Sequence, residues 1–106
     1  ILSAHPKVNL FYAISDDMAT GCAKAVAAAH SSAKILGNGG SAAGITGIKD
    51  GSIYGDVCYK PVDEGAKALD TLYTQITGKT TASHKVLTYN TPAITLANVD
   101  QCVAQW

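Results

Sequence analysis

The feature that most constrains this chain is its alternation of short apolar runs with stretches of helical period. Val8 to Ile14 (VNLFYAI) is almost continuously apolar, too short for a buried helix, and reads as a strand covered on both faces of a parallel sheet. Ala33 to Leu36 (AKIL) and Ile53 to Tyr59 (IYGDVCY) repeat that signal. Helical patterns stand between and after them. Ser15, Asp16 and Asp17 supply an N-cap and an acidic first turn, and Met18, Cys22, Ala25, Val26 and Ala29 then recur at helical spacing. Ser41 caps a short helix carrying Ala42, Ile45 and Ile48, which Asp50-Gly51 ends. Pro61 opens the longest helix, whose apolar stripe is Gly65, Leu69, Leu72, Tyr73 and Ile76 and which Gly78 closes. That amphipathic stretch, Val62 to Thr77, is read as ordinary core packing and not as a membrane helix. Ile1 to Ala4 is read as the last turn of a helix, stopped at His5-Pro6, and Val86 to Tyr89 and Ala93 to Val99 as two final extended segments. Strand and helix in strict alternation predict an α/β fold, a doubly wound, mostly parallel sheet with flanking helices.

In such sheets ligands bind beyond the carboxyl ends of the strands. That rule alone selects Ser15-Asp16-Asp17, Asn38-Gly39-Gly40 and Tyr59-Lys60. Each has a plainer reading beside it. Asp16 and Asp17 serve as helix caps, Asn38 to Gly40 as a turn, and Tyr59 as a packing residue.

Composition removes several function classes. The formal charge is zero, all 8 basic residues are lysine, and no arginine is present, so the basic stripe and arginine forks of a nucleic-acid reader are missing. A hydrophobic fraction of 47% with 15% charged residues predicts a folded chain, and no apolar run approaches the length needed to cross a bilayer. Three widely spaced cysteines do not make a disulfide framework. Cys22 and Cys58 read as small core residues, and at most one pair among Cys22, Cys58 and Cys102 is bridged. His5, His30 and His84 stand apart from any cysteine or carboxylate at metal spacing, so no metal or other cofactor is implied. A Cys58–His84 nucleophile pair has no local signature, and the turn at Gly37 lacks the Gly-Lys-Ser/Thr of a phosphate loop. No enzyme is predicted.

Four stretches in order resemble the type I periplasmic binding proteins of sugar ABC transporters. Ser15-Asp16-Asp17-Met18-Ala19-Thr20-Gly21 is similar to the family's Asn-Asp-(Glu/Asp)-Met-Ala-x-Gly. Ile35-Leu36-Gly37-Asn38-Gly39-Gly40 resembles Val-Val-Gly-Phe-Asp-Gly. Ile48-Lys49-Asp50-Gly51-Ser52-Ile53, followed by Lys60-Pro61 and a Gly-Ala-containing helix, is the third. Thr91-Pro92-Ala93-Ile94-Thr95-Leu96-Ala97-Asn98-Val99-Asp100 resembles the family's Thr-Pro ending.

The resemblance implies the last third of a two-lobed receptor that closes on a small molecule by hinge motion. Residues 1–58 would complete the carboxyl-terminal lobe, 59–85 would cross the hinge and give a helix to the other lobe, and 86–106 would return. The implied partners are a sugar or sugar-like ligand, the remaining lobe of the parent protein and an ABC transporter permease. The implied location is periplasmic or extracellular, by lipid anchor in a Gram-positive cell. Without the remaining lobe, the crossing segments would expose apolar faces. Carried over by position, the ligand contacts are Ser15, with Asp16 beside it, Asn38, Gly39 and Tyr59. They depart from the sugar pattern: Ser15 stands for asparagine, Asn38 for an aromatic residue, Gly39 for aspartate and Tyr59 for glutamine. A sugar, a polyol and an aromatic or heterocyclic ligand all remain open. The alternative reading is the ligand-sensing domain of a lactose-repressor-type transcriptional regulator.

Overall fold

In a computed structural model, residues 1–79, 86 and 88–106 are described. The elements run β1 (Leu10–Tyr12), α1 (Asp16–Ala28), β2 (Lys34–Leu36), α2 (Ala42–Asp50), β3 (Gly55–Val57), α3 (Pro61–Ile76) and β4 (Ala93–Thr95), followed by a single 3-10 turn at Val99–Gln101. The sheet has the order β1-β2-β3-β4. β1, β2 and β3 are parallel, with Phe11 opposite Ile35 and Leu36 opposite Gly55. β4 returns antiparallel along β3, with Ile94 opposite Asp56. This is the mostly parallel α/β sheet with flanking helices that the alternation predicts.

The helices start where their caps are. Ser15 Oγ accepts from Met18 N at 3.3 Å, and Ser41 Oγ accepts from Gly44 N at 3.1 Å. Each closes one of the donors that a helix start leaves open. α1 and α2 pack on each other, α1 also on β2 and α2 on β3. Ala19, Val26, Ile35, Ile48, Ile53 and Ile94 fill the core between helices and sheet.

Two expectations need correction. The first strand is not covered on both faces. Among the described residues β1 is the edge of the sheet, paired with β2 alone, and leaves Leu10, Tyr12 and Ile14 exposed. The buried stripe of α1 is Asp16, Ala19 and Val26, with Cys22 and Ala23 partly covered, while Met18 and Ala25 face out. Close approach of α1 to β2 and α2 favours the small Ala19 over the larger Met18 on the inner face. Ile1 to Ala4 forms a helical turn, closed by His5 N donating to Ile1 O at 2.8 Å, in keeping with the reading of a last helical turn. Cys58 is a core residue as expected, and it forms the one bridge the sequence left open, to Cys102, with 5.9 Å between their Cα atoms.

α3 is also not the core helix expected: it buries no residue. Leu69 is 69% and Ile76 75% exposed, with Leu72 and Tyr73 beside them. Its amino end is tied by Gln105 Oε1, which accepts from Val62 N at 2.9 Å, and among the described residues no other element buries its apolar stripe. The radius of gyration, 18.0 Å, reflects this extension. A compact chain of about 100 residues has about 13 Å. Of the final segments, Ala93 to Thr95 is strand, and the chain turns at Leu96 before the 3-10 turn. His84, Lys85 and Leu87 lie outside the described residues, and with them parts of the crossing and of the Val86 to Tyr89 segment.

Candidate functional site

The three loops chosen by the carboxyl-end rule do meet. The loop after β2 is held to the segment after β3 by Gly39 N donating to Val57 O at 3.1 Å and Tyr59 N donating to Gly39 O at 3.1 Å. The loop after β1 joins them through Asp16, whose Oδ2 accepts from Ser41 N at 2.7 Å. Ser15, Asp16, Gly39 and Tyr59 therefore belong to one cluster, with Asn38 half-buried beside Gly39.

A buried carboxyl pair forms the floor of this cluster. Asp16 is 2% exposed and Asp56 4%. Asp56 Oδ1 accepts from Gly39 N at 3.0 Å and from Val57 N at 2.6 Å, and its Oδ2 accepts from Gly40 N at 3.4 Å. The two carboxyl groups are within hydrogen-bonding reach of each other. Glycine makes room for them. A Cβ on Gly44 would stand 2.5 Å from Asp56 Oδ2 and 2.6 Å from Asp16 Oδ2, and one on Gly39 would stand 2.6 Å from Asp16 Oδ2. Burial first, and then the hydrogen bond and charge of Asp16, raise the Asp56 carboxyl from its ordinary 3.8 to about 6. Asp56 was not among the residues read from sequence. The available signal was an acid inside the otherwise apolar run IYGDVCY.

Above this floor lies a cavity of about 330 Å³ lined by Ser15, Asp16, Asp17, Ser41, Ala42, Ala43 and Trp106. The amino ends of α1 and α2 both open onto it. Each N-cap hydroxyl accepts a helix N–H and keeps its own proton for a further acceptor. Trp106 is the second residue missed from sequence. Ala42 N donates to its carbonyl at 3.0 Å, which fixes it at the start of α2, and its side chain remains 59% exposed. Asn38, Gly39 and Tyr59 do not line this cavity. Gly39 is buried beneath its loop, and Tyr59 is 38% exposed on the way to α3. A larger cavity, about 550 Å³ and lined by Pro6, Asn9 and His30 among others, sits at the amino ends of the strands, away from these groups.

No set of three metal-ligating side chains occurs among the described residues. Cys58, held in its disulfide, has no thiol to act as a nucleophile. No described helix is long and apolar enough to cross a membrane.

A parallel α/β sheet whose strand-end loops converge on hydroxyls, backbone donors and an aromatic ring is a ligand-receiving fold. The family profile described as periplasmic binding protein domain matches residues 1–80, and the chain belongs to that family. The family is one of binding proteins, not of enzymes. Among solved structures, the chain is similar to an ABC transporter periplasmic solute-binding protein from Actinobacillus succinogenes with bound D-allose. The TM-score is 0.84 and the identity 24%, over 94% of this chain and 35% of that one. The Caulobacter myo-inositol-binding protein, bound to myo-inositol, gives a TM-score of 0.82 at 24% identity over 95% of this chain and 35% of its own. A carbohydrate transporter from Acidothermus cellulolyticus in complex with myo-inositol gives 0.82 at 25% identity over 94% and 35%. The chain thus spans about a third of the length of these relatives. No curated protein sequence matches it.

Proposed function

We propose that this chain is the carboxyl-terminal part of the solute-binding receptor of an ABC transporter, and that the receptor takes up a sugar or sugar-like molecule between two lobes. The observation that carries the reading is the cavity where Ser15, Ser41 and Trp106 meet at the carboxyl ends of β1 and β2. Hydroxyl groups of a polyol would pair with the two N-cap serines, and the indole would cover an apolar face of the ligand. Polar groups buried on closure must be paired, so such a site rejects ligands without matching hydroxyls. Asn38 and Tyr59 would reach the ligand from the rim of the same cluster, and Asp16 and Gly39 would shape its floor.

In this reading α3 crosses to the other lobe and gives its uncovered stripe, Leu69, Leu72, Tyr73 and Ile76, to that lobe. The segment from 86 returns it. Closure about this crossing would hide the ligand, and the closed form would be presented to the permease in the periplasm or outside the cell. The solved relatives with bound D-allose and myo-inositol support the choice of ligand class. The test is calorimetry of the full-length receptor with D-allose, myo-inositol, pentoses and acyclic polyols. Binding of a cyclic polyol that is weakened by Ser15→Ala and by Trp106→Ala is the expected result. Binding confined to nucleosides or small aromatics, or no binding, would reject it.

A further inference from the structure

Asp16 and Asp56 come from different elements and are drawn together with no cation paired to them among the described residues. Asp16 Oδ2 is satisfied by Ser41 N, and Asp56 Oδ1 by Gly39 N and Val57 N. Asp16 Oδ1 is buried and meets no N–H donor among the described residues. A buried polar atom without a partner is costly, and two carboxylates in contact with both charges present are costlier still. The neighbouring elements offer no relief. The loop from Gly37 to Ser41 has no titratable side chain, β3 contributes Asp56 alone, and β4 none. α1 adds the exposed Asp17 and Lys24 and the half-buried Cys22, and β2 adds the exposed Lys34 at its start. The charged residues of α2, Lys49 and Asp50, stand at its far end, where Lys49 pairs with Asp100 at 2.9 Å. One proton shared between the two carboxyl groups resolves both problems.

We propose that Asp56 is a positioning residue for the binding loop, and that one proton shared with Asp16 holds Gly39 to Ser41 in its ligand-receiving shape. The geometry is direct, because three consecutive loop N–H groups, those of Gly39, Gly40 and Ser41, donate to these two side chains. With the proton present, the pair carries a single negative charge, spread over four backbone donors, three of them in the loop. When it leaves, two like charges face each other under the loop and push its anchors apart. The raised affinity of Asp56 for protons is in keeping with this. The ligand end of the proposal rests on the function proposed above. The loop end does not.

The experiment compares the full-length protein with its Asp56→Asn and Asp16→Asn variants, using hydrogen exchange at the loop amides and calorimetry with myo-inositol and D-allose. In wild type the protection factors of the Gly39, Gly40 and Ser41 amides, and the affinity for the bound polyol, are expected to fall roughly tenfold from about pH 5 to about pH 8, up to the limit of one linked proton. Asp56→Asn presents an amide N–H₂ to Asp16 at every pH and gives up only the long Gly40 N contact, which an amide nitrogen cannot accept. It should keep the low-pH protection of the Gly39 and Ser41 amides and the affinity and flatten both profiles, and Asp16→Asn should flatten them too. Asp50→Asn, which alters an exposed carboxylate, should leave the slope as in wild type. Profiles that are the same in wild type and Asp56→Asn, or loop amides equally protected at both ends of the range, would overturn the proposal. A loop that responds as expected in a protein that binds neither polyol would support the positioning role and remove the proposed ligand class.

Discussion

α2 and α3 make an instructive pair. α2 has nine residues and buries Gly44, Gly47 and Ile48 against β3 and α1. α3 has sixteen, a Pro at its start and a cleaner apolar stripe, and buries nothing. The shorter helix, built from residues with poor helix propensity such as glycine and threonine, is fixed by its neighbours. The longer one has the pattern of a core helix but no core. An amphipathic stripe says that a face must be covered, not which surface covers it.

The contrast can be attacked by mutation, measuring unfolding of the 106-residue chain and of the full-length protein. Ile48→Ala should have the largest effect, about 2–5 kcal/mol in either context, because it opens a cavity in a filled core. Removing the Cys58–Cys102 bridge, by Cys102→Ser or by reduction, should lower stability by about 2–4 kcal/mol by releasing a loop of 44 residues, read as a drop in denaturant midpoint. Asp56→Asn comes next. The folded state holds this carboxyl near 6 against 3.8, so its stabilising contribution is complete below about 3.8 and is lost as pH rises through 6. The variant should therefore be more stable than wild type at neutral pH, by about 1–3 kcal/mol read from denaturant unfolding, and show no gain near pH 4. Gln105→Ala, which frees the amino end of α3, should cost about 0.5–1 kcal/mol. Leu72→Ala should be the smallest in the short chain, within about 0.5 kcal/mol, and should grow to a core-sized cost in the full-length protein. A large loss for Leu72→Ala in the short chain would mean that α3 is packed after all, and would break the comparison.

Local chemistry was legible in the sequence. Ser15, Ser41 and Pro61 mark their helix starts correctly, and the strand-end rule brought Ser15, Asp16, Gly39 and Tyr59 to one place. What was not legible depends on distance along the chain. Asp56 reads as a stray acid in a strand until Asp16, forty positions earlier, is folded against it. Trp106 is brought to the cavity by Ala42 N, which donates to its carbonyl from across the chain. The partner of Cys58 could not be chosen from three cysteines, because spacing carries no pairing information. Met18 outranks Ala19 in hydrophobicity, yet the tight approach of α1 to its neighbours makes size, not apolarity, decide which of them is inside.

The bridge between Cys58 and Cys102 also bears on how the protein matures. Three thiols can close a single bridge in three ways, and only one of them ties the end of β3 to the last segment. Cys22 is the competitor, and its partial cover on α1 limits its access once that helix has docked. Correct pairing therefore favours folding before oxidation. A chain made where glutathione keeps thiols reduced would leave the return segment unstapled, and one oxidised too early risks trapping Cys22 in the wrong partner.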